Sequence, residues 1–277
     1  MLPRPPAPSS FGRRLLVAAS AAVIAASLSA CQTTGIADNS DITGSLGEKA
    51  DPSPTSDARR DVELYRERHR TSPNDPDVAI KYGKALRDTG QRAQAVAVLE
   101  QASIAHPGNK ALLAGYGRAL ADNGNFQQAF DVLSRAHTPE DPDWHILSAQ
   151  GAVLDQLGRF DEARQYYASA LKIVPDEPSV LSNLGLSYVL SNDLVKAEET
   201  LRRAYAHAGS DPRVRANLAL VVGLRGHEAE AEGIVRAGLP ATEAAANVAY
   251  LHQLLARKRS EHASAGEPPA RSGKRPN

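Results

Sequence analysis

The 277-residue sequence has little of several residue types on which common folds and sites depend. It has one cysteine, which excludes an intramolecular disulfide framework and any zinc site built from several cysteines. It has one Trp and four Phe but many small apolar residues, which favours closely packed helices over a β-sandwich. Neither charge is in excess, with 32 Lys and Arg against 32 Asp and Glu, which excludes the broad basic surface of a nucleic-acid-binding protein.

Motifs of catalysis are also missing. The sequence contains no H-E-x-x-H zinc motif, no P-loop and no G-x-S-x-G nucleophile elbow. Eight histidines are dispersed, and the segment 115–117 resembles a dinucleotide fingerprint only in its first two glycines. We therefore predict a protein that is not an enzyme, with no metal site and no cofactor apart from a covalent lipid.

The first thirty residues are predicted to be an export signal. Arg4, Arg13 and Arg14 precede an uncharged apolar run over residues 15–28. At about 1.5 Å per residue, this run would reach roughly 21 Å, which is short of the ~30 Å hydrocarbon core of a bilayer. The run therefore fits the apolar region of a signal peptide better than a permanent membrane span.

The single cysteine follows this run directly. Leu28-Ser29-Ala30-Cys31 resembles the bacterial lipobox, in which small residues precede a cysteine that is diacylated and becomes the mature N-terminus. The reaction needs a thiolate, and two or three acyl chains anchor a protein stably. The alternative is an ordinary secretory signal cleaved after Ala30. Gln32 stands where Asp is the usual retention signal, so resemblance to other lipoproteins implies a palmitate-bearing protein on the periplasmic side of the outer membrane.

Two terminal segments have the composition of disordered chain. Residues 31–56 would form a lipidated tether, and residues 260–277 a tail, because both are polar, contain Gly or Pro, and lack helical or strand periodicity. A flexible tether of ~25 residues would span roughly 25–30 Å and hold the folded part away from the membrane.

Between these segments the chain repeats with a period of 34 residues. Small residues recur at four positions of the repeat without insertion or deletion over residues 76–245. The four series are Gly83, Gly117, Gly151, Gly185 and Ala219; Gly90, Gly124, Gly158, Asn192 and Gly226; Ala95, Ala129, Ala163, Ala197 and Ala231; and Ala102, Ala136, Ala170, Ala204 and Gly238. Five copies make chance agreement negligible.

This pattern resembles an array of tetratricopeptide repeats, each a pair of helices A and B. The resemblance implies an all-α solenoid, a right-handed superhelix of about five helix-turn-helix repeats with capping helices. The repeats would occupy 76–109, 110–143, 144–177, 178–211 and 212–245. A lone helix in 57–75 would cap one end, and a helix in 246–259, with apolar residues at helical spacing, would cap the other.

The residue types agree with this interpretation. Gly83 and its equivalents lie in the middle of helix A, where glycine costs about 1 kcal/mol against alanine unless two helices cross too closely for a side chain. Gly90 and its equivalents lie where helix A ends and a left-handed backbone is favoured, and Asn192 is the usual substitute for glycine there.

Function is then expected in the concave groove that helix A lines in tetratricopeptide proteins. The first two repeats place charged residues there, whereas repeats four and five place apolar residues around two amides. An amide can donate to and accept from an extended peptide backbone. We therefore predict a partner-binding groove at Asn183, Asn217, Leu186, Leu190, Leu220 and Leu224. The alternative is that the leucines only pack against neighbouring helices.

The order of the segments is similar to the TadD family, the tetratricopeptide lipoproteins of Tad/Flp pilus assembly. A lipobox, a short tether, about five repeats and a basic C-terminal cap carry this resemblance, together with the segments 31–35 and 250–255. It implies an outer-membrane lipoprotein that supports assembly of the pilus secretion machinery and binds its proteins, the secretin channel among them. The alternative is another envelope adaptor, for outer-membrane protein assembly or for cell-wall enzymes.

Overall fold

A computed structural model describes residues 56–265, which form twelve α-helices. Cys31, the predicted signal peptide and nearly all of the predicted tether lie outside the described residues. The helices are α1 (Ser56–Thr71), α2 (Pro76–Asp88), α3 (Arg92–Ala105), α4 (Lys110–Asp122), α5 (Phe126–Leu133), α6 (Trp144–Gln156), α7 (Phe160–Ile173), α8 (Pro178–Leu190), α9 (Leu194–Ala208), α10 (Pro212–Leu224), α11 (Glu228–Arg236) and α12 (Ala241–Ala265).

The helices form an all-α solenoid, as predicted from the period. Helices α2 to α11 are five A–B pairs, in which each A helix packs against its own B helix and against the B helix before it. Helix α1 packs on α2 as a B helix without a partner, and α12 packs on α10 and α11 as an A helix without a partner. The two lone helices therefore cover the apolar ends of the array.

A glycine in each of the first four A helices allows close contact with the paired B helix. A Cβ atom on Gly83, Gly117, Gly151 or Gly185 would lie 2.5–2.6 Å from the side chain opposite. The opposing residues, also 34 apart, are Leu99, Leu133, Tyr167 and Leu201. In repeat five the glycine is replaced by Ala219 and the large residue by Val235, and both are buried. A small residue and a large one thus share a fixed volume in every repeat.

Glycine or asparagine reverses the chain between the A and B helices. The φ angle is +73° at Gly90, +83° at Gly124, +73° at Gly158 and +91° at Gly226, and Asn192 takes their place with φ +60°. In the first repeat the turn is closed by the backbone N–H of Gln91, which donates to the backbone carbonyl of Leu86 at 2.8 Å. The left-handed backbone predicted at these positions is confirmed.

The last helix is longer than predicted. It begins at Ala241, inside the segment assigned to repeat five, and it continues to Ala265, beyond the predicted end at residue 259. Gly238, at φ +73°, and Pro240 follow the end of α11 and prevent its continuation. After Pro240 no Gly or Pro interrupts α12 until Gly266. The inner face of α12 buries Val248, Leu251 and Leu255 against repeat five.

Candidate functional site

The A helices form the inner row of the solenoid. Each A helix contacts the A helix of the next repeat, from α2 through α12, and these contacts are more extensive than those between neighbouring B helices. The row whose members lie closer together is the concave one. The candidate groove is therefore lined by α2, α4, α6, α8, α10 and α12.

The two predicted amides connect neighbouring A helices. The Asn217 amide nitrogen donates to the Ser182 hydroxyl at 2.9 Å, and Asn217 is only 5% exposed. The Asn183 amide nitrogen donates to the Ser148 hydroxyl at 3.2 Å, but Asn183 is only partly buried. The two pairs occupy the same repeat positions, so they form a short internal ladder. Of the two amides, only that of Asn183 is exposed enough to meet a partner directly.

The four predicted leucines divide in the same way. Leu186 and Leu220 are each 5% exposed and belong to the packed interior. Leu190 and Leu224 are half-buried, and Leu224 packs against the apolar cluster that includes α12. The structure thus leaves Asn183, Leu190 and Leu224 as the accessible members of the predicted set. Partner binding by these three residues stays a prediction.

The charged half of the groove, in repeats one and two, is held by ion pairs. Lys84 pairs with Asp88 one turn away, and Arg87 joins α2 to α4 by donating to Asp122 at 2.5 Å. The first pair is largely exposed and the second is half-buried, and with this much solvent contact each is expected to contribute about 1 kcal/mol or less. Most of the charge predicted in this half is therefore already neutralised locally.

Arg118 differs from these paired residues. It lies on the concave side of α4, it is half-buried, and it makes no hydrogen bond or ion pair within residues 56–265. Burial lowers the pKa of its guanidinium, the neighbouring Arg87 lowers it further, and Asp143 and Asp122 act in the opposite direction. Arg118 is the cation of this half with most to gain from an acidic partner group.

Small side chains line the middle of the groove. Gly115 and Ala121 on α4, and Ala149 and Ala152 on α6, are all partly exposed. They lie between the charged half and the Leu-lined half.

Two buried polar clusters were not predicted from the sequence. In the first, the Gln150 amide nitrogen donates to the Ser134 hydroxyl at 3.0 Å, and the Gln150 oxygen lies 3.0 Å from His137 Nε2. In the second, Asp155 accepts from the Tyr167 hydroxyl at 2.9 Å and from the Ser187 hydroxyl at 2.6 Å. The one signal in the sequence was Tyr167, a tyrosine at a position that is leucine in three other repeats.

A cavity of about 310 Å³ lies outside the groove, at the turn between α6 and α7. Arg159 and Arg164 line it, but Arg159 already pairs with Glu162 and Arg164 with Asp161. Among the described residues no group of three or more His, Cys, Asp or Glu side chains could hold a metal ion. No helix between residues 56 and 265 has the length and apolar character needed to cross a membrane.

Comparison with known families identifies the repeats. A tetratricopeptide-repeat family model matches residues 86–151 and again 156–221, and a second such model matches residues 144–165. The chain carries tetratricopeptide repeats. The matched segments lie within the helices α2 to α10 described above. No curated protein matches the sequence.

Solved structures of low sequence identity share the fold. A chain of the APC/C hetero-tetramer Cut9-Hcn1 aligns with a TM-score of 0.58 at 16% identity, over 76% of this chain and 41% of that one. A chain of the human IFIT1 dimer with PPP-AAAA aligns with a TM-score of 0.54 at 15% identity, over 65% and 44% of the two chains. YrrB, a TPR protein with an unusual peptide-binding site, aligns at 0.46 and 14% identity, over 72% and 99%.

The tetratricopeptide fold supports a protein-binding scaffold. Such solenoids present an extended concave surface, and this chain presents one with a charged end, a middle lined by small side chains and a Leu-lined end.

Proposed function

We propose that this protein is a lipid-anchored scaffold of the bacterial outer membrane that supports assembly of a Tad/Flp pilus secretion system. The repeat array supplies a binding groove, and the lipobox cysteine supplies a membrane anchor. The observation that carries the proposal is this combination in one chain, a single cysteine at the lipobox position followed by a solenoid with an open concave face.

Within this proposal, Cys31 bears the lipid and the groove holds a segment of a pilus or secretion protein. Asn183, Leu190 and Leu224 would contact the partner through a polar group and two apolar side chains. A scaffold of this kind acts by holding its partner at the membrane, and it needs no cofactor apart from the lipid.

The experiment that tests the proposed role is deletion of the gene followed by complementation. Loss of the protein should remove surface pili and reduce assembled secretin multimers in the outer membrane by at least severalfold. The wild-type gene should restore both, whereas a gene whose product lacks the described repeats should restore neither. Pili and secretin should be scored by electron microscopy and by immunoblotting of unheated membranes.

The alternative envelope adaptor predicts a different outcome. If pili and secretin remain at wild-type levels while outer-membrane proteins or cell-wall enzymes are lost, the pilus role is wrong. The scaffold function of the groove would then stand with another partner.

A further inference from the structure

The middle of the solenoid differs from its two ends. One cluster of buried apolar residues extends from Val62 to Val153, and another from Ala197 to Leu255. Two smaller apolar clusters lie between them, one joining α6, α7 and α8 and the other joining α8, α9 and α10. The contact between α6 and α8 is thus covered by a small apolar cluster, and we call this contact the central seam.

A carboxyl group is buried at the central seam. Asp155 on α6 is 7% exposed and accepts from Tyr167 on α7 and from Ser187 on α8, both of which are buried. The seams on either side have apolar residues at the equivalent positions, Ala121 with Val153 and Val189 with Val221. The carboxyl is therefore a feature of this seam and not of the repeat.

No cation contacts this carboxyl among the described residues. Arg164 on α7 acts on it only at a distance, because its guanidinium pairs with Asp161 and donates to the Ser191 hydroxyl at 3.2 Å. Helix α8 has no charged side chain, and its one titratable residue is Tyr188. The charged residues of α4 and α5 (Lys110, Arg118, Asp122 and Asp131) make no hydrogen bond or ion pair with Asp155.

A buried charge that is hydrogen-bonded but not ion-paired destabilises its surroundings relative to the neutral form. Burial raises the pKa of Asp155 to about 6, against the opposing effects of Ser187, Tyr167 and Arg164. A protonated carboxyl would keep both contacts, because each hydroxyl can donate or accept.

We propose that the central seam is a proton-responsive joint, which is tighter when Asp155 is protonated and looser when Asp155 is charged. The seam lines the middle of the groove, where Asn183 donates to Ser148 across the same two helices. Its tightness therefore sets how firmly the two halves of the solenoid are held together. The inference depends on the fold and stands without the proposed pilus role.

The direction of the pH effect follows from the raised pKa. Because the folded state holds the proton more tightly than the unfolded state, the added stability is fully present below the unfolded pKa. It is lost as the pH rises through about 6, the folded value. Between pH 7.5 and pH 5.0, the opening of the seam should become about tenfold less favourable.

Hydrogen exchange of the full-length chain in detergent tests this inference. After correction for the intrinsic exchange rate, amides of α8 should be about tenfold better protected at pH 5.0 than at pH 7.5, with less than a twofold change in α2. The Asp155→Asn variant should show high protection at both pH values. The matched variant Asp131→Asn, at an exposed carboxylate, should keep the wild-type response.

A second variant keeps the test decisive if Asp155→Asn does not fold. Tyr167→Phe removes one donor to the carboxylate, so the pH response of α8 should persist and increase. The inference is overturned if α8 protection in the wild type is independent of pH, if Asp155→Asn retains the response, or if Tyr167→Phe abolishes it.

Discussion

Replacing Gly185 with alanine should destabilise the solenoid by about 1–3 kcal/mol, although alanine is the better helix former. The new Cβ would lie 2.5 Å from Cγ of Leu201. Leu201 is fully buried, and the clash is with a branch-point carbon and not with the flexible end of a side chain. Urea unfolding of the full-length chain in detergent, followed by circular dichroism, measures the change.

The same experiment with a second substitution identifies the cause. Leu201→Val should restore most of the loss in the Gly185→Ala background, because repeat five combines Ala219 with Val235 in the same places. We expect a favourable coupling of about 1–2 kcal/mol in the double-mutant cycle. Gly115→Ala is the matched control: its Cβ would meet Leu99 at an ordinary 3.6 Å, so it should stabilise the protein by about 1 kcal/mol. Purely additive effects of Gly185→Ala and Leu201→Val would refute the shared-volume explanation.

Replacing Cys31 with serine should abolish lipid attachment completely. The sequence offers no other thiol, and a hydroxyl does not ionise to a nucleophile at physiological pH as a thiol can. Labelling with an alkyne palmitate analogue should therefore give a signal for the wild type and none for the variant. The variant should accumulate as unprocessed precursor in the inner membrane.

Ser29→Thr provides a control near the same site, since it keeps the cysteine and should remain labelled. Membrane fractionation should place the labelled wild type in the outer membrane. Equal labelling of the wild type and Cys31→Ser would contradict the lipoprotein proposal, and labelled protein confined to the inner membrane would contradict the sorting prediction alone.

The sequence predicted the repeats well because their determinants are local and recur. The glycine of each A helix, the left-handed turn residue and the buried alanine of each B helix return every 34 residues. Five repeats of one pattern leave little freedom of register. The two lone helices could be predicted for the same reason, since an array must cover its apolar ends.

The bounds of α12 and the burial of Asn217 and Asp155 could not be predicted, because they depend on contacts between residues that are distant in the sequence. The extent of α12 follows from the early end of α11 and from the absence of a helix breaker, not from the period. The repeat position of Asn217 predicted a groove residue, but its amide nitrogen donates to the hydroxyl of Ser182 on the preceding A helix. The burial of Asp155 depends on a hydroxyl from each of two other helices, 12 and 32 residues away.

The central claim is that the concave face of the A helices binds a protein partner, and site-specific photocrosslinking in living cells tests it most directly. A photoreactive phenylalanine at Ala152 or Leu190, both partly exposed in the groove, should crosslink to a discrete partner protein. The same residue at Gln165 or Ala168, exposed on the B helix α7, should not. Crosslinks from Gln165 and Ala168 with none from the groove would contradict the account and would place the binding surface on the outer face of the solenoid.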